Sequence, residues 1–72
     1  MSFVVEIASV PDREELVAEV WWDDEMVAEV QRTVGRGFQL DIYAKESREP
    51  WSFNLQDWLS VLAEAQRRLS KG

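Results

Sequence analysis

Leu16-Val17-Ala18-Glu19-Val20-Trp21-Trp22-Asp23-Asp24-Glu25-Met26-Val27-Ala28-Glu29-Val30 reads as a β-hairpin, and the rest of the chain is organised around it. On each side of Asp23-Asp24-Glu25, a Val-Ala-Glu-Val tetrapeptide sets a single carboxylate inside an apolar run. An acid flanked by strand-forming residues fits a strand with one face in a core and the other in water. One hairpin explains the two tetrapeptides better than a repeat architecture, whose units run to about twenty residues or more.

The same composition recurs outward, at Val4-Val5-Glu6-Ile7 and Gln39-Leu40-Asp41-Ile42. Strands are expected over residues 2–9, 15–22, 26–32 and 38–44. Pro11 and Asp12 break the first from the second, and Thr33-Val34-Gly35-Arg36-Gly37 supplies a glycine-containing hairpin loop before the last. The inward faces are Phe3, Val5 and Ile7; Leu16, Ala18, Val20 and Trp22; Met26, Ala28 and Val30; and Phe38, Leu40 and Ile42. Trp21 and Trp22 are adjacent, so one points outward and the other inward.

Matching apolar faces restricts the registers. Val20 and Ala28 must point the same way, so the acidic turn should hold an odd number of residues, most simply Asp23, Asp24 and Glu25. A two-residue turn would oppose Val20 to Val27 and carry Glu29 to the core side, an expensive place for a charge. The same parity gives one consistent meander, with Glu6 opposite Glu19, Glu19 opposite Glu29 and Glu29 opposite Asp41. Four acids then form a row across the sheet, with Val4, Trp21, Val27 and Tyr43 in a strip beside it. A slip of two residues would stagger the row but leave every acid on the same face.

After a charged connection over residues 45–50 the period changes. Leu55, Trp58, Leu59, Leu62, Gln66 and Leu69 recur at three- and four-residue spacing, which predicts an amphipathic helix over residues 55–70. Asn54 is its expected N-cap, Phe53 and Trp58 its hydrophobic staple, and Trp51 a lid on the end of the core. Asp57 near the start and Arg67, Arg68 and Lys71 near the end suit the helix dipole. The fold class is α+β: one domain of 72 residues, a four-stranded antiparallel meander with a C-terminal helix packed on one face.

Composition narrows the function. With no cysteine and no histidine, neither a disulfide nor an imidazole ligand is available, and packing must hold the fold. The net charge of −6 disfavours a nucleic-acid partner and favours a basic protein. No apolar run approaches a membrane span and the start has no basic leader, so a cytoplasmic protein is expected. No serine sits in a nucleophile elbow and no glycine pattern resembles a phosphate loop, so no catalytic residue and no cofactor are expected. Asp23, Asp24 and Glu25 lack the ligand spacing of a calcium loop, so no metal is expected either.

Binding is the better reading. Like charges set opposite one another in a sheet cost stability, and a basic partner would offset that cost. The expected contact residues are Glu6, Glu19, Trp21, Asp23, Asp24, Val27, Glu29, Asp41 and Tyr43, an aromatic and apolar strip fringed by acid. The alternative from another class is a small homo-oligomeric module, in which the strip or an edge strand pairs two copies as a homodimer.

The hairpin from Leu16 to Val30, together with Trp51-Ser52-Phe53-Asn54-Leu55-Gln56-Asp57-Trp58-Leu59, resembles the small immunity proteins of bacterial toxin–immunity systems, including contact-dependent inhibition. The resemblance covers most of the chain and carries no diagnostic motif. It implies a protein that binds and neutralises its cognate toxin domain, usually a basic one, with acids clamping cationic residues and aromatics as anchors.

Overall fold

The computed structural model describes residues 2–9, 15–33, 35 and 37–70. The expected break around Pro11 and Asp12, loop residues Val34 and Arg36, and Lys71 lie outside these. Four strands run in chain order, β1 (Phe3–Ala8), β2 (Val17–Trp22), β3 (Glu25–Thr33) and β4 (Gly37–Ile42), followed by α1 (Leu55–Ser70). They form one antiparallel sheet of order β1-β2-β3-β4 with the helix against one face, the α+β arrangement expected.

The register places Glu6 opposite Glu19, Glu19 opposite Glu29, and Glu29 opposite Asp41. The route to it differs from the three-residue turn expected. Trp22 pairs with Glu25, leaving Asp23 and Asp24 as a two-residue turn, with Asp23 at φ 54° in the left-handed region that aspartate tolerates. The register then shifts between Val20 and Trp21: Trp21 faces Met26 while Val20 faces Ala28. Val27 is the extra residue of a β-bulge, and the bulge restores the parity that the short turn would have broken. Met26, expected in the core, therefore stands opposite Trp21.

Val5, Ala18, Val20, Ala28 and Val30 bury against Val61, Ala65 and Leu69, which recur at four-residue spacing along α1. An aromatic cluster closes one end of this core. Phe53 lies 4.8 Å from Phe3 and 5.0 Å from Trp22 between ring centroids, and it stacks on Trp51 and Trp58 at 5.4 and 5.7 Å. The Trp51 indole N–H donates to the Tyr43 carbonyl at 2.9 Å, tying the connection to the end of β4. Asn54 caps the helix: its side-chain oxygen accepts from the Asp57 N–H at 3.1 Å, and its carbonyl accepts from the Trp58 N–H at 3.0 Å.

The helix packs on β1, β2 and β3. Phe38, Leu40 and Ile42 of β4, expected inside, are 36, 40 and 60 % exposed. Leu16, also expected inside, lies just before β2 and is exposed. No helix among the described residues is long and apolar enough to cross a membrane.

Replacing Asn54 by alanine removes an acceptor for the first turn of α1 and should cost about 1 kcal/mol. In a domain of this size that is roughly 4–8 °C in melting temperature. Asn54→Asp should leave the melting temperature nearly unchanged, which separates the cap from a packing effect.

Candidate functional site

On the face opposite the helix, the acid row is built from one residue per strand. Pairing geometry decides how close the acids come. The Tyr43 N–H donates to the Val27 carbonyl at 2.8 Å, so residues 43 and 27 form a hydrogen-bonded pair. Alternation along β3 then makes Glu29–Asp41 a hydrogen-bonded pair and Glu19–Glu29 a non-hydrogen-bonded one, where side chains approach most closely.

Neutral donors meet these carboxylates. The Trp21 indole N–H donates to Glu19 Oε1 at 3.2 Å, and the Tyr43 hydroxyl to Glu29 Oε2 at 3.3 Å. The Gln31 and Gln39 side-chain amides donate to the two oxygens of Asp41 at 3.1 and 3.4 Å. These bonds orient the acids without cancelling their charge. Gln31 and Gln39 were not among the expected contact residues. Their signal was present, since each lies two residues from an acid on the same strand face.

The structure brings the expected residues together unequally. Glu6, Asp23, Asp24 and Tyr43 are exposed, and Glu19, Trp21 and Asp41 are half-buried. Val27 has no exposed surface and belongs to the core, so its expected role as a contact is corrected. Glu29 is only 6 % exposed. It supports the face through Tyr43 rather than meeting a partner directly, a second correction. Val17, whose alternation sets it with the acids, is also enclosed, at 1 % exposed.

At the β1–β2 end of the face is a depression of about 330 Å³ lined by Val4, Glu6, Trp21, Asp23 and Asp24. Three carboxylates surround an apolar floor made by one valine and one indole. Such a site suits a lysine or arginine side chain, whose methylene stem can lie on apolar surface while its charged head meets carboxylates and the ring face. Among the described residues no group of histidine, cysteine, aspartate and glutamate is arranged to hold a metal ion.

The fold and this face define an open-faced ββββα domain with an acidic, aromatic-floored sheet surface. No known protein family, curated protein or solved structure matches the chain.

Glu19 lies between two other carboxylates, so Glu19→Gln should stabilise the domain by about 0.2–1 kcal/mol at low salt. The glutamine oxygen still accepts from Trp21. Denaturant unfolding at two ionic strengths checks this, with the gain shrinking as salt screens the repulsion. A loss of stability at low salt would mean that the row is not under electrostatic load.

Proposed function

We propose that the chain is a non-catalytic protein-binding domain that recognises a basic protein, acting as an immunity-type inhibitor of a toxin domain in the cytoplasm. The observation that carries this reading is the depression between Val4, Glu6, Trp21, Asp23 and Asp24, where three carboxylates line a site floored by a half-buried indole and an exposed valine. A cation inserted there would be held by charge at the rim and by contact with the aromatic floor. The acid row continues the negative potential across the sheet, which would steer a basic partner and orient it before contact.

Retaining so many like charges on one face costs stability, and that cost supports a role in recognition rather than in folding. Inhibition would follow from occupying cationic residues that the toxin needs for a polyanionic substrate. Glu6, Asp23, Asp24 and Trp21 would make the first contacts. Glu19, Asp41 and Tyr43 would extend them, and Glu29 would hold Tyr43 in place.

An NMR titration with an arginine- and lysine-rich peptide tests the site. Shifts should concentrate at Val4, Glu6 and Trp21, and the affinity should fall as salt rises. Glu6→Lys combined with Asp24→Lys should weaken binding at least ~10-fold with the domain still folded, because both positions are exposed. Shifts confined to the helix face, or undiminished binding by the double variant, count against the site. The immunity role has its own test: co-production with a toxin domain encoded beside this chain should restore growth, and the double variant should lose that protection.

A further inference from the structure

The sheet has two edges, and only one is blunted among the described residues. At β1, Val5 carries its carbonyl on the outer side, and the Arg68 guanidinium of α1 donates to it at 2.6 Å. Arg68 is also within 3.7 Å of Glu64 one helical turn earlier, so a charged side chain anchored on the helix covers that edge.

β4 has no such guard. Because Tyr43 pairs with Val27 through a hydrogen bond, the main-chain groups of residues 39 and 41 turn toward β3. Those of Phe38, Leu40 and Ile42 turn outward, and among the described residues nothing bonds them. The strand Gly37–Ile42 contains no proline, lysine or arginine, the residues that usually protect an edge. The side chains of the same three residues are exposed; Phe38 and Leu40 line a depression with Leu62 and Gln66 of α1, and Ile42 lines another with Leu55 and Trp58.

We propose that β4 pairs with β4 of a second copy of this chain, making a continuous eight-stranded antiparallel sheet about a two-fold axis at Leu40. The sequence of β4 is self-complementary in that register. Hydrogen-bonded pairs must join outward-facing residues, so Leu40 meets Leu40 of the second copy, and Phe38 meets Ile42. Gln39 then falls opposite Asp41, so an amide donor faces a carboxylate on the acidic side of the sheet. Within one chain the Gln39 amide already donates to Asp41, so this pairing repeats a contact the residues make. Shifting the axis to Asp41 would set two carboxylates face to face and lose hydrogen-bonded pairs.

The proposal does not rest on the basic-partner reading, whose first contacts lie at the opposite end of the sheet on β1 and the β2–β3 turn, although Asp41 of β4 would take part in both. It leaves the depression at Val4, Glu6 and Trp21 open in both copies, and so makes the domain bivalent.

Sedimentation of the wild-type protein over a dilution series should give twice the chain mass at high concentration. Leu40→Pro should be monomeric with an unchanged circular dichroism spectrum. The proline nitrogen replaces an N–H that points outward, so the bonds to β3 survive. A cysteine pairing test works even if that variant fails to fold, since the chain has no cysteine of its own. Gln39→Cys and Asp41→Cys proteins should cross-link rapidly when mixed, because a non-hydrogen-bonded pair sets Cα atoms about 4.5 Å apart, within disulfide range. Each alone should cross-link slowly, its own cysteines being displaced along the strands by two residues. A wild-type monomer at all concentrations, a dimeric folded Leu40→Pro, or equal cross-linking of mixed and single proteins would overturn the proposal.

Discussion

The pairing of β2 with β3, in which Val20 stands over Ala28 and Glu19 over Glu29, is the constraint from which the other features follow. Side chains alternate along a strand, so a slip of one residue would swing the Glu29 carboxylate to the helix side and Ala28 to water. The tight turn at Asp23 and Asp24 favours that slipped register, and the extra residue at Val27 undoes it. The bulge reconciles a short acidic turn with a core that requires valine over alanine. β1 and β4 inherit their registers from this pair, and the acid row is its consequence.

The aromatic cluster sets where the helix lies. Phe53 contacts Phe3 of β1 and Trp22 of β2, and Trp58 in the first turn of α1 joins the same group. These contacts anchor the helix start near the β1–β2 side of the sheet. A helix is about 10 Å wide, whereas four strands at ~4.8 Å spacing span roughly 14 Å between their outer axes. One strand must be left partly uncovered, and the aromatic anchor makes it β4. The same placement brings Arg68 within reach of the β1 edge, so one event protects one edge and leaves the other open.

The two faces of the sheet answer different demands. The helix face is dry and tightly packed, with alanines at 18, 28 and 65 that admit close approach. The acidic face carries one carboxylate per strand, arranged by Trp21, Gln31, Gln39 and Tyr43 as donors. Those donors orient the carboxylates and leave their negative potential in place, as a surface for electrostatic recognition needs.

Alternation and local signals determined a good deal without any coordinates. The strand and helix positions, the cap at Asn54 and the shared face of Glu6, Glu19, Glu29 and Asp41 depend only on periods of two and 3.6 and on turn chemistry, while the structure aligned the four acids into a direct row. Parity requires the sum of turn and bulge residues to be odd but does not fix their division. A three-residue turn and a two-residue turn with one bulge are therefore equivalent in sequence, and only the tertiary structure chose the second. Burial of Val27 and Glu29 depends on what surrounds them in the folded chain, which alternation does not reveal. The exposure of Phe38, Leu40 and Ile42 was likewise outside the reach of pattern: alternation says which way a side chain points, and the width and position of the helix decide whether anything is there to meet it.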